Sequence, residues 1–284
     1  MRKELATFVL LVVLCAIVTA LNPRFLSPVN LQNTARLVGA FGIFSLGLGL
    51  VIITGGIDLS VGSAFALLSV LLSIMLTEWH LPWPLAVLLV IGQGALLGVF
   101  HGVLITRLGL QPFIVTLCGL LLYRGLARFI AGDETKGFGN AEGFRTLQAA
   151  ATGSVFGLPM PFVGLILASL VMWVVLHRSV FGRHVYATGR NEIAARYSGV
   201  NVHRVIVATY VIMGVLTGIG AIIFAFYTNS VSPSSHGTFF ELYGIAAAVL
   251  GGCSLRGGEG SVVGILLGTT LLQVLQNLVN LLGI

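Results

Sequence analysis

Charge is what this sequence has least of. Of its 284 residues only 8% are charged, and lysine occurs twice, at Lys3 and Lys136. A soluble domain carries about 25% charged residues, because its surface has to face water. With 57% hydrophobic residues and a mean hydropathy of +1.03, most of this exterior must face lipid instead. Cysteine is scarce too. Cys15, Cys118 and Cys253 sit in or beside apolar segments without disulfide or metal spacing, and read as small buried hydrophobes. Neither lysine follows a G-x-x-x-x-G, so there is no ATP-binding P-loop. No G-x-S-x-G or H-E-x-x-H is present either, which argues against an enzyme. Neither a metal nor a cofactor is expected. The net charge of +6 fits basic cytoplasmic loops better than nucleic-acid binding.

What is present is a succession of apolar runs. At ~20 residues per crossing there is room for about eight to ten. Breaks at polar residues, Pro and Gly delimit nine: 5–21, 36–54, 62–77, 84–105, 113–131, 161–176, 204–226, 239–252 and 261–282. The fold class is therefore an all-α polytopic bundle in one transmembrane domain, residues 1–284. The run after Arg2 and Lys3 reads as a first span rather than a signal peptide. Leu14 before Cys15 is no lipidation signal.

Two connections are long. The 132–160 stretch is polar and Gly-rich, with three acids and two bases. The 177–203 stretch is basic: Arg178, Arg183, Arg190 and Arg196, with Arg204 just beyond its end, face one acid, Glu192. This loop is expected in the cytoplasm. Six spans precede it, so the N-terminus is expected there as well. The protein is then a multi-pass protein of the cytoplasmic membrane.

Gly55-Gly56-Ile57-Asp58-Leu59-Ser60-Val61-Gly62 follows the second span, and Gly251-Gly252-Cys253-Ser254-Leu255-Arg256-Gly257-Gly258 follows the eighth. Glycine pairs at membrane depth break helices, which is tolerated only beside protein or a watery cavity. Interruptions in corresponding places of two halves point to a transport path. Discontinuous segments are accordingly expected near 55–62 and 239–258. Asp58 is read as the single intramembrane acid: with Ser60 it either caps the helix starting near Val61 or lines the path. Arg124 and Arg128, one turn apart, either snorkel or meet a polar solute. His101 reads as structural. Small-residue ridges at Gly94, Gly98 and Gly102, at Gly214 and Gly218, and at Gly264 and Gly268 suit close helix packing.

Inside the basic loop, Asn191 suits an N-cap and Gly199 a helix stop, with Glu192 and Arg196 paired between them. The result is a short helix with an Ala194-Ala195 face, placed for a partner to grip.

The Gly55–Gly62 motif, the Arg190–Val202 stretch, Phe113–Gly119 with Arg124-Gly125 and the run Leu250–Leu282 together resemble the ribose/xylose/galactose-type permeases of bacterial ABC importers. Glu192-x-Ala194-Ala195-x3-Gly199 resembles the loop that such permeases insert into their ATPase partner. The resemblance implies import of a small solute, most simply a monosaccharide. It also implies two ATPase subunits that hydrolyse ATP, a second permease copy or paralogue, and an extracytoplasmic solute-binding protein. Coupling falls to Arg190, Glu192, Ala194, Ala195, Arg196 and Gly199. The solute path falls to Gly55, Gly56, Asp58, Ser60 and Arg124. Members of the family usually carry one more helix past the segment matching Asn280–Ile284. The competing readings are an ion-coupled secondary transporter built on Asp58 and a branched-chain amino-acid ABC permease.

Overall fold

The computed structural model describes residues 2–139, 141 and 143–283. Every apolar run is a helix. In chain order they are α1 (Arg2–Leu21), α2 (Pro28–Ile53), α3 (Val61–Thr77), α4 (Trp83–Arg107) and α5 (Pro112–Ala131). Strand β1 (Lys136–Gly137), helix α6 (Phe144–Thr152) and the hairpin β2 (Ser154–Val155) and β3 (Leu158–Pro159) follow. Then come α7 (Met160–Trp173), α8 (Val180–Arg190), α9 (Glu192–Tyr197), α10 (Val202–Thr228), β4 (Ser230–Val231), α11 (Phe240–Leu250) and α12 (Val262–Leu282).

Among the described residues seven helices are long and apolar enough to cross a membrane, α7 counted with the π turn that carries it to Arg178. The chain is an all-α polytopic membrane bundle. The two remaining apolar helices, α3 and α11, have 17 and 11 residues and are the discontinuous ones.

Local chemistry sets the boundaries. Ser27 Oγ accepts from Asn30 N ahead of Pro28, and Ser261 Oγ accepts from Gly264 N at the start of α12. Gly132 ends α5 in the left-handed conformation, at φ +64°.

From Val38 to Ile53 α2 is apolar and buried on every side and forms the central post, with α7, α10, α11 and α12 around it. Helix α1 rides outside, against α12. The small-residue ridges set the tightest seam. A Cβ at Gly94 would lie 2.3 Å from Gly214 O, and one at Gly98 would lie 2.2 Å from Tyr210 O, so α4 and α10 touch backbone to backbone. Gly264 and Gly268 do the same for α12 against α11.

The 132–159 stretch is more ordered than its composition suggests. Helix α6 buries Leu147 and Ala151 and packs on α10, while β1 pairs antiparallel with β4, Lys136 opposite Val231. A nine-residue amphipathic helix is too short to stand out from a polar background.

Candidate translocation site

Where α2 ends, the chain does not turn straight into α3. Gly55 adopts φ +82°, and residues 56–60 run without helical structure back into the bundle between α4, α5 and α10. Ile57 O accepts from the Tyr210 hydroxyl at 2.9 Å. Gly56 lies so close to that hydroxyl that a Cβ would sit 3.0 Å from it. At 1.5 Å per residue, Tyr210 is about 12 Å along α10 from Val202. By the same count Arg124 is about 18 Å along α5 from Pro112, so α3 starts near mid-span.

Asp58 is buried there. Its Oδ1 accepts from Ser60 N at 2.9 Å and from Ser60 Oγ at 2.7 Å, closing a tight turn. Ser60 occupies the N-cap position of α3, but its side chain makes no cap bond. The pair therefore shapes the turn and leaves the helix amides to another group. Asp58 Oδ2 faces His101 Nδ1 at 3.9 Å, and His101 Nε2 lies 2.8 Å from the Tyr123 hydroxyl. His101, Tyr123 and Tyr210 are all at most 2% exposed. His101 thus stands opposite the Asp58 carboxylate.

The group that meets the α3 amides comes from the other broken helix. Glu241, in the first turn of α11, is buried, and its carboxylate accepts from the Gly62 amide and from its own amide. Both helix N-termini converge on one carboxylate, where their partial positive charge favours it. The approach depends on glycine: a Cβ on Gly62 would lie 2.1 Å from Gly237 O and 2.3 Å from Glu241 Oε2. Five phenylalanines wall the junction, with Phe240 stacked on Phe44 at 5.7 Å and edge-on to Phe65 at 5.4 Å.

Arg124 does not snorkel. Its Nη1 donates to Pro233 O at 3.0 Å and to His236 O at 2.8 Å, pinning the turn-rich 229–239 segment to α5. Arg128, one turn on, does reach outwards and holds Asp133 at 2.6 Å, which keeps that carboxyl below its usual range.

One acid opening an apolar run resembles a boundary in the sequence, which hides Glu241, yet it is buried as Asp58 is, so Asp58 is not the single buried acid of the bundle. The true counterpart of 54–60 plus α3 is 229–239 plus α11, entering from the opposite side. The Gly251–Gly258 motif instead packs beside Gly55 at the α9 end, where Gly258 N donates to Ile53 O at 2.8 Å and a Cβ on Gly257 would lie 2.9 Å from Gly55 N. Cys253 in this turn is buried, and burial pushes its thiol up to about 12, which makes it inert.

Two voids flank Tyr210. A small one of about 10 Å³ is lined by Asp58, Ser60, His101, Tyr210 and Thr217 among others, room for a single water. The larger, about 510 Å³, is lined by Thr54, Gly55, Gly56, Gln111, Pro112 and Tyr210, and on its far side by Glu192 and Arg196 of α9. Helix α9 forms as its residues dictate. Asn191 Oδ1 accepts from Ala194 N at 2.9 Å, Glu192 and Arg196 pair at 2.8 Å, and Gly199 stops it at φ +85°. Arg190 closes α8 immediately before it. Ala195 faces inwards and Ala194 outwards, so the exposed face is built from Ala194 with Ile193 and Tyr197 rather than from both alanines. Gly189 seats this unit against the bundle, so close to Ile53 O that no side chain fits.

Broken helices meeting at mid-span inside a polytopic bundle are the arrangement of a membrane transport component. The chain belongs to the family described as branched-chain amino acid transport system, permease component, matched over residues 30–284. It is 41% identical over 283 residues to the ribose import permease protein RbsC of Bacillus subtilis, covering 99% of this chain and 86% of that one. The Escherichia coli K12 protein of the same name is 38% identical over 282 residues, covering 99% and 87%. The autoinducer 2 import system permease protein LsrD of an Enterobacter species is 36% identical over 283 residues, covering 99% and 86%. No solved structure matches.

Proposed function

We propose that this permease is the membrane subunit of an ATP-driven importer for a monosaccharide, ribose being the first candidate because of the relatives named for its import. Residues 1–284 act as one transmembrane domain in the cytoplasmic membrane, with the N-terminus and the basic α8–α9 segment in the cytoplasm. ATP is hydrolysed on two partner subunits, a second permease copy or paralogue completes the membrane part, and a solute-binding protein delivers the sugar from outside.

One observation carries this reading: exposed α9 and the re-entrant Gly55–Gly56 segment line the same cavity. Glu192, Ala194, Ala195 and Arg196 belong to the compact helix α9, framed by Arg190 at the end of α8 and by Gly199, with Ile193 and Tyr197 projecting as a grip. A push on α9 passes directly to the wall that holds Gly55, Gly56, Asp58 and Ser60, while Arg124 holds the opposite entrance. Tyr210, between the two voids, is the barrier to be moved.

The test is sugar-stimulated ATP hydrolysis in proteoliposomes containing this chain, an ATPase and a binding protein. Stimulation by ribose, abolished by Glu192→Lys while the complex still assembles, is the expected result. Solute flux driven by an ion gradient, with no ATPase partner retained, would overturn it.

A further inference from the structure

Resting on that reading, we infer that Arg124, His236 and Glu241 form a closed outer gate that doubles as a recognition site for the hydroxyls of a neutral polyol. In this structure the path is sealed at the junction, where Gly62 meets Gly237, and is open on the α9 side as the cavity of about 510 Å³. The seal consists of exchangeable polar contacts. Arg124 spends its guanidinium on two carbonyls of the 229–239 segment and approaches Gly62 O at 3.5 Å. Glu241 spends its carboxylate on the Gly62 amide and its own. When the segment lifts and Gly237 leaves Gly62, Arg124 loses its acceptors and Glu241 loses the Gly62 donor.

A second observation points to a ligand. His236 is 7% exposed, and its Nε2 has no hydrogen-bond partner among the described residues. A buried ring nitrogen left bare is costly and rare. It lies on the segment that Arg124 pins, its own carbonyl being one of the two that Arg124 holds. Opening the gate therefore exposes a donor cation, an acceptor carboxylate and an imidazole that can serve as either. Their formal charges cancel, which suits a neutral solute, and donors alternating with acceptors match vicinal hydroxyls. The wall beside them is aromatic, Phe224 lying 5.3 Å from the His236 ring. Closure returns each group except His236 Nε2 to a protein partner, which ejects the sugar towards the open cavity.

The experiment compares maximal uptake rates of D-ribose and 2-deoxy-D-ribose, each saturating the binding protein, in proteoliposomes of the assembled importer. Saturation removes the binding protein's own preference, so the ratio reports recognition by the permease. The unmutated chain is expected to favour ribose. Glu241→Gln and His236→Asn are each expected to cut that ratio by about tenfold, the loss of one hydrogen bond to a sugar hydroxyl. His236→Asn leaves the Arg124 contact to the backbone intact and serves if Glu241→Gln fails to assemble. A ratio near one in the unmutated importer, or variants in which both rates fall while the ratio stays, would overturn the inference and leave the three residues as a mechanical latch. Failure of the unmutated chain to assemble with any ATPase would instead sink the importer reading, and shows before any variant is made.

Discussion

Asp58 shows how much one side chain's role depends on its neighbours. From the sequence it is a carboxylate among apolar residues, fit either to cap a helix or to line a path. In the structure one oxygen closes the Ser60 turn and the other faces His101. These two roles are separable. Asp58→Ala leaves the buried Ser60 amide without an acceptor and is expected to cost about 1–3 kcal/mol of stability. Asp58→Asn keeps the Oδ1 acceptor and is expected to cost clearly less. Thermal unfolding of the detergent-solubilised protein measures both. Equal damage by the two would mean that the charge opposite His101, not the turn, holds the segment in place. The burial of His101 and Tyr210 was not legible beforehand, because both belong to long apolar helices whose faces only the packing assigns.

At the scale of elements, glycine decides which helices touch. The ridge of Gly94, Gly98 and Gly102 was legible from its spacing alone, and its partner proved to be the α10 ridge at Tyr210, Gly214 and Gly218. A side chain at Gly98 has nowhere to go, whereas a Cβ at Gly92 on the same helix would meet nothing within 4 Å. Gly98→Leu is therefore expected to destabilise the α4–α10 seam by at least about 1–3 kcal/mol, against ~0.5 kcal/mol or less for Gly92→Leu. Yield of folded protein and midpoint of heat unfolding should separate the two variants. Similar losses from both would locate the constraint in the helix itself rather than in its packing. Helix α9 makes the converse case. Its Asn191 cap, Glu192–Arg196 pair and Gly199 stop are all local, so its existence followed from a few consecutive residues.

For the whole molecule, the proposed orientation rests on the arginines of the 178–204 segment, and the structure supplies well-separated reporters for it. Phe156 stands fully exposed at the tip of the β2–β3 hairpin, and Ile193 is exposed on α9 at the other end. In intact cells, Phe156→Cys is expected to react with a membrane-impermeant thiol reagent, and Ile193→Cys only after permeabilisation. Contrary to the sequence expectation, only Cys253 of the three native cysteines is buried, its thiol raised to about 12. Cys118 is exposed and Cys15 half-buried, so both are replaced by serine before labelling. The reverse pattern would invert the topology and remove α9 from reach of any cytoplasmic ATPase.

Composition and spacing determined that this chain lives in a membrane, that its apolar runs are helices, that glycine breaks interrupt it near 55–62 and that a short capped helix projects from its basic loop. These features follow from residues close together in the chain, where hydrophobic run length, caps and glycine conformations act directly. Only the tertiary structure decided that α3 and α11 meet head to head, that Glu241 rather than Ser60 serves both N-termini, and that Arg124 turns inwards to grip Pro233 and His236. The glycine echo misled for the same reason. Its two copies are alike as strings, but Gly257 and Gly258 pack beside Gly55 and Gly189 at one end, while the true second break carries no glycine pair. A buried charge is settled by whichever partners the fold brings within reach, and residues 124 and 241 are brought together by packing, not by any pattern along the chain.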